Sequence, residues 1–377
     1  MAKKTFRFLP YLAYFVYLCT SMKIGYDAKR YYHNNTGLGN YSRTLVRDMS
    51  EQFSDVQPVL YDASSLERTF RLGRRAKAEG CQLYHGLSNE LPRDIVRAGI
   101  PSIVTMHDVA WRTFPDMYTT VDRYIYDWKY GWSARHATHV VCISESTKRD
   151  VMRFYGVPEE RISVIFQPVH TYYYNRMPSE LAEQYVRELL PFYRDGEHRY
   201  VLTVGSINSR KNLMAMVQAL GNVPAAERPH FVVIGDGRDY RRKVEKYIAD
   251  NGLKQWVHII SGMSDVTTLQ ALYSKALLLM YPSFYEGFGL PVVEAALQKC
   301  PVITSNVSSL PEAAGPGAVQ VDPSSVEQLT EALIRLLNDE NERRVRGRSG
   351  YDYCMAHFSP ERLTTQMHEL YERVLDK

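Results

Sequence analysis

The sequence predicts a two-domain α/β protein built on parallel sheets, and three observations carry that reading. The chain has 377 residues, against roughly 150 for a typical single domain. Short apolar runs alternate with amphipathic stretches along nearly the whole length, the pattern of repeated βα units. That alternation breaks between residues 168 and 199, where Pro168, Pro178, Pro191 and Gly196 punctuate a polar stretch, and it restarts at Tyr200.

Taken in order, residues 1–21 form an extension. Lys3, Lys4 and Arg7 precede the apolar run Phe8 to Cys19, as in a signal peptide. Pro10 interrupts the run, no small-x-small cleavage site follows, and it is too short to span a bilayer. Translation starting at Met22, a membrane-contact segment and a true signal all stay open. Residues 22–185 form the first domain, with strands expected at 23–26, 57–60, 83–85, 103–106, 139–143 and 162–165. Residues 186–355 form the second, with strands at 200–204, 230–234, 257–260, 277–281, 302–304 and 318–321. Residues 356–377 form a last helix. Leu363, Met367, Leu370, Tyr371 and Val374 lie on one face of it, and returning to the first domain would bury that stripe. Each domain reads as Rossmann-like, with ligand loops expected at the C-terminal ends of the strands.

Composition narrows the function classes. With 45% hydrophobic and 23% charged residues, disorder, collagen and a polytopic membrane protein are excluded. The net charge, 46 − 42 = +4, is too small to argue for nucleic acid. Cys19, Cys81, Cys142, Cys300 and Cys354 are odd in number and widely spaced, with no C-x-x-C. Reduced thiols in a cytoplasmic protein are therefore expected, not a disulfide framework or a zinc site. His136 and His139, three apart in an expected helix, are a weak metal candidate beside a packing role.

Four runs carry chemistry. Glu286-Gly287-Phe288-Gly289-Leu290-Pro291, followed by Glu294, joins an apolar strand to a helix. Its glycines permit close backbone approach, and the amides of Phe288, Gly289 and Leu290 open a helix N-terminus that favours an anion. Glu286 and Glu294 can accept hydrogen bonds from sugar hydroxyls. Gly205 to Asn212 also follows a strand, and its Arg210 and Lys211 offer a guanidinium fork and an ammonium to a diphosphate. Gly37 and Gly39 lie in the loop after the first strand. Neither they nor Gly235-Asp236-Gly237 completes a dinucleotide fingerprint. His107 ends the fourth strand and is a polar candidate for the cleft. His85 is similar, and Ser144 is read equally well as a helix cap.

Together these runs resemble the retaining glycosyltransferases of family 4. Their E-x7-E signature matches Glu286 to Glu294, and the Arg210-Lys211-Asn212 loop, the Gly37-Leu38-Gly39 loop and His107-Asp108 follow in register. The resemblance covers Met22 to the end and implies the GT-B fold, two Rossmann-like domains facing across a cleft. It implies a nucleoside-diphosphate sugar held mainly by the second domain and an acceptor against the first. Glu286 would then bind the donor sugar's hydroxyls and Glu294 the ribose. Arg210 and Lys211 would grip the diphosphate, and Gly37, Gly39 and Gly205 would let loops approach it. His107 would lie near the transferred sugar. No Asp-x-Asp motif is present, so a metal-independent hexosyltransferase is expected, mannosyl-like, with no cofactor besides the donor. The implied acceptor is a glycan or lipid-linked sugar of a surface polysaccharide, in the cytoplasm or at the inner face of the membrane. A nucleotide-sugar epimerase and a non-catalytic nucleotide-sugar binding protein are the alternatives. The basic cluster Arg68, Arg71, Arg74, Arg75 and Lys77, near Leu66, Phe70 and Leu72, could touch an anionic membrane or be a solvated helix face. The aromatic run Tyr124, Tyr126, Trp128, Tyr130 and Trp132 could line an acceptor groove or pack in the core.

Overall fold

All twelve expected strands form, each end within one residue of its expected position. The computed structural model describes residues 21–34, 37–193, 199–263 and 265–376. The readings made for the N-terminal extension, Cys19 included, lie outside the described residues except at Ser21.

The strands are β1 (Met22–Asp27), β2 (Val56–Tyr61), β3 (Leu83–Gly86), β4 (Ser102–Met106), β5 (His139–Cys142) and β6 (Ile162–Val164), then β7 (Tyr200–Val204), β8 (His230–Ile234), β9 (Val257–Ile260), β10 (Leu278–Tyr281), β11 (Val302–Ser305) and β12 (Val319–Val321). They make two six-stranded sheets, ordered β2-β1-β3-β4-β5-β6 and β12-β11-β10-β7-β8-β9. Every pairing is parallel. The physical reason is in the strands themselves. β3, β4 and β5 are buried at every position, as expected of strands covered by helices on both faces. In each sheet the order reverses once, between β1 and β3 and between β7 and β10, and the crevice at such a switch point is where open α/β sheets bind ligands.

The chain divides into two units. The first holds the described residues up to Ile143, Thr147–Pro168 and residues 360–376; the second holds Ser144–Ser146 and Val169–Ser359. The division falls before the 185/186 boundary read from the sequence, because helix Ser179–Leu189 packs with the second unit. It buries Ala182 and Val186, and Glu183 pairs with Lys275 at 2.7 Å. Helix Pro360–Leu375 does pack on the first unit. Its five stripe residues are buried with Met22, Ile24, Tyr26 and Leu83 on one face of the first sheet. The opposite face packs Leu72, Tyr84, Val104, Trp111 and Val140. The second core gathers Val201, Leu213, Phe231, Leu278, Ile303 and Leu333.

Several readings change. Gly37 and Gly39 are not in a loop; they open helix Gly37–Gln52. A Cβ on Gly39 would stand 1.7 Å from the Asn34 carbonyl oxygen, so that glycine is required by the chain's own turn. His136 ends helix Trp132–His136 whereas His139 opens β5 and bonds Ser163 at 2.9 Å, so the two do not share a helix. Arg68 leaves the expected surface cluster: it is buried, 2.5 Å from Asp27 and 3.0 Å from Glu90. Leu72 is buried too. The aromatic run splits, with Tyr126 and Tyr130 packed edge-on to Trp111 and Tyr124 and Trp128 exposed. Cys81, Cys142, Cys300 and Cys354 are buried and not joined in disulfides. Among the described residues, no helix is long and apolar enough to cross a membrane.

Candidate active site

In the second unit the loops after β7 and β10 meet at the sheet's switch point. After β7 the chain leaves through Gly205, at φ +141°. Gly235, at the end of β8, lies so close that a Cβ there would stand 1.9 Å from the Gly205 carbonyl oxygen. A one-turn helix, Ser209–Lys211, follows, with the Asn208 side chain accepting the Lys211 amide at 3.2 Å. Asn212 then adopts a left-handed conformation. Its side-chain amide donates to the carbonyls of Pro282 at 3.2 Å and Pro323 at 2.7 Å. The Phe284 amide donates to the Arg210 carbonyl at 2.9 Å. These bonds hold one loop against the other.

That seam brings Glu286, Arg210 and Lys211 together. The Glu286 carboxylate, 8% exposed, lies 3.0 Å from Arg210 Nη1 and 2.6 Å from Lys211 Nζ. Lys211 also bonds the Tyr281 hydroxyl, and Arg210 donates to the Tyr285 carbonyl. The Glu286 backbone is pinned in turn. Its amide donates to Ser308 Oγ at 3.0 Å, and its carbonyl accepts from Ser308 at 2.7 Å and Ser309 at 2.8 Å. Burial pushes the Glu286 carboxyl up, but Lys211 and Arg210 outweigh it and the net shift is downward. The group is therefore an anion between two cations at neutral pH. The sequence reading assigned carboxylate and cations to different parts of one ligand; the fold adds that they also hold each other.

Helix Leu290–Leu297 takes Gly289, in a left-handed conformation, as its N-cap. Phe288 is buried and packs edge-on to Phe358. Glu294 lies in the second turn, where its Oε2 accepts the Tyr273 hydroxyl at 2.9 Å. Burial raises its carboxyl to about 7. The sign is then fixed: between the ordinary value of 4.5 and about 7 the unfolded chain loses a proton that the folded protein keeps, so folding stability falls as pH rises through that window. Glu294→Gln is expected to flatten this slope, read as melting temperature against pH.

In the first unit the switch point lies between β1 and β3, where Asp27, Arg68 and Glu90 form the buried ion cluster. His85 Nδ1 bonds Tyr371 at 2.7 Å and its Nε2 bonds Thr105 at 2.8 Å. Thr105 bonds Tyr41 at 2.9 Å, and Tyr41 packs edge-on to His107 at 4.8 Å. His107 Nε2 lies 2.9 Å from the Leu87 carbonyl oxygen, which assigns the proton to Nε2 and leaves Nδ1 as an acceptor. Burial lowers His85 to about 3 and His107 to about 4. Both rings are neutral at physiological pH, so His107 offers a polar lone pair and no charge. Ring 15N spectra are expected to show neither histidine titrating above pH 5; a midpoint near 6.5 for His107 would contradict this environment. Sequence reasoning missed Tyr281, Tyr273, Ser308 and Ser309, for they carry no motif and meet the site only through strand order.

Two parallel sheets, each with a switch point, and a carboxylate clasped by two cations at one of them make up a two-unit α/β protein. Residues 192–353 match Glycosyl transferases group 1 and residues 54–172 match Glycosyltransferase Family 4. The O-antigen chain mannosyltransferase B of Escherichia coli is 30% identical over 319 residues, 84% of this chain and 81% of that protein. The O-antigen chain mannosyltransferase RfbU of Salmonella typhimurium is 28% identical over 62% of this chain and 63% of its own. In fold, sucrose-phosphate synthase from Thermosynechococcus elongatus superposes with TM-score 0.75 at 19% identity, covering 94% of this chain and 99% of that one. WaaG, a glycosyltransferase involved in lipopolysaccharide biosynthesis, gives 0.68 at 19% identity over 91% and 98%. The chain belongs to the glycosyltransferases of the GT-B fold, with a group 1 domain and a Family 4 domain.

Proposed function

We propose that this glycosyltransferase moves a hexosyl group, mannosyl by analogy with its O-antigen relatives, from a nucleoside-diphosphate sugar to a glycan or lipid-linked acceptor of a surface polysaccharide, at the cytoplasmic face of the membrane. The observation that carries the reading is Glu286 between Arg210 and Lys211 at the switch point of the second sheet. An arginine has five donor hydrogens and a lysine three, so the pair can serve a carboxylate and a diphosphate together. As the anomeric bond breaks, negative charge grows on the diphosphate. Arg210, Lys211 and the first amides of helix Leu290–Leu297 are the groups to stabilise it, and they take the part a divalent cation plays elsewhere. Glu286 positions the donor sugar, Glu294 accepts from the ribose, and neutral His107 accepts from the transferred sugar. Gly205 leaves the backbone after β7 open beside Lys211, where a phosphate can approach it. Retention follows if the departing phosphate oxygen takes the acceptor's proton on the face it leaves, with no protein nucleophile.

A thermal-shift and calorimetric screen across nucleoside diphosphates and nucleotide sugars tests this, since a ligand that binds only the folded state raises the melting temperature. One nucleoside-diphosphate family is expected to stabilise the protein, with or without EDTA. Loss of stabilisation in EDTA would remove the metal-independent mechanism. Epimerised donor with no sugar transferred would favour the epimerase reading instead.

A further inference from the structure

We propose that a second anion site lies in the first unit, in the cavity walled by Phe70, Arg74, Arg93, Asp94, Arg97 and Trp132, and that it binds a phosphoryl group of a ligand other than the donor. The cavity encloses about 430 Å³, enough for a diphosphate with part of what it is esterified to. Its residues come from helices Ser65–Phe70, Leu72–Ala78, Ile95–Ala98 and Trp132–His136 and the turn before Ile95. None of these elements contributes to the Arg210–Lys211–Glu286 cluster.

The cavity is built around a fixed guanidinium. Arg93 lies 3.9 Å from the ring centre of Trp128 and 4.4 Å from that of Trp132, and donates to the Trp128 carbonyl. Two aromatic faces hold the cation in place, so little side-chain entropy is left to lose when an anion binds. Trp132 stacks on His136 by its ring at 4.4 Å, which fixes that wall too.

The charges around it do not balance. Asp94 is the one carboxylate in the lining, and its oxygens accept the amides of Gly73 at 3.0 Å and Arg74 at 2.9 Å, with Arg74 Nε at 3.5 Å. Neighbouring carboxylates are engaged elsewhere: Glu90 with Arg68 and Lys129, each at 3.0 Å, and Glu67 with Arg75 at 2.8 Å. Three guanidinium groups thus face one committed carboxylate. Burial, with Arg135 adding to it and Glu90 opposing it, lowers the Arg93 pKa. Planar N–H forks fit phosphate oxygens two at a time, so a phosphoryl group matches this lining better than a single carboxylate.

The phosphoryl group could belong to a soluble phosphate ester or to a lipid headgroup, and the test separates them. In a Lys211→Ala background, which weakens the donor site, inorganic diphosphate is titrated while tryptophan fluorescence is followed, since Trp128 and Trp132 hold Arg93. A saturable change is expected, at least tenfold weaker in Arg97→Gln and in Arg74→Gln,Arg97→Gln. Both arginines are exposed, so the melting temperature should hold. In parallel, the same proteins are sedimented with phosphatidylcholine vesicles with and without phosphatidylglycerol. Arg97-dependent response to diphosphate alone supports a soluble ligand; Arg97-dependent sedimentation with phosphatidylglycerol supports a headgroup. No response in either arm, or responses untouched by both substitutions, overturns the site.

Discussion

Lys211→Ala is expected to lower sugar transfer by on the order of 100- to 1000-fold, the usual effect of removing one preorganised group from a developing charge. Lys211 is the nearest cation to Glu286, at 2.6 Å, and one of the two proposed to neutralise the leaving diphosphate. The substitution also has a structural effect that its motif does not announce. Taking one partner from a buried ion pair can cost about 3–5 kcal/mol when the remaining charge is left alone. Here Arg210 stays 3.0 Å from the carboxylate, so the loss should be smaller, about 1–3 kcal/mol. Transfer rates in a matched assay, with the melting temperature measured beside them, check both parts. A variant that transfers at the wild-type rate would remove Lys211 from the mechanism.

Glu286→Gln is expected to have the second-largest effect, and with a different signature. The amide keeps the shape and the acceptor oxygen but removes the charge between Arg210 and Lys211. Turnover should fall at least 100-fold because, in the role proposed for Glu286, the donor sugar loses its strongest acceptor. Nucleoside diphosphate affinity should hold or tighten, since both cations are relieved of a competing anion. The acid limb of stability should change as well. The depressed Glu286 carboxyl contributes stability that is present above its ordinary value of 4.5 and is lost as pH falls through its lower folded value; in the glutamine variant that loss disappears. Calorimetry with nucleoside diphosphate decides the role: a large drop in affinity would mean that Glu286 belongs to nucleotide binding and not to the sugar.

How much of this was legible differs from residue to residue. The Glu286–Glu294 run and Arg210-Lys211 could be picked out because each sits in a short polar loop between an apolar strand and a helix, and such local contrast survives in one dimension. Arg68 could not be separated from Arg71 and Arg74, because all three have similar sequence neighbours. Only the folded chain shows Arg68 turned onto Asp27 and Glu90. Gly39 looked like a ligand-approach glycine, and its steric partner proved to be Asn34. Ser308 and Ser309 reach Glu286 across 22 and 23 residues of chain, with no pattern to mark them.

By itself, the sequence determined the alternation of strands and helices, the twelve strand positions, the buried face of the last helix and the polar loops that follow the strands. Each depends on side-chain period and composition within about ten residues, which neighbours along the chain express directly. Tertiary structure alone decided which charges meet. Glu286 finds Arg210 and Lys211 because β10 lies beside β7 and not beside β9. His107 takes one tautomer because Leu87 offers it a carbonyl, and Arg93 stands among arginines because two tryptophans hold it there. Electrostatic pairing depends on distance in space, and strand order sets that distance independently of spacing along the chain.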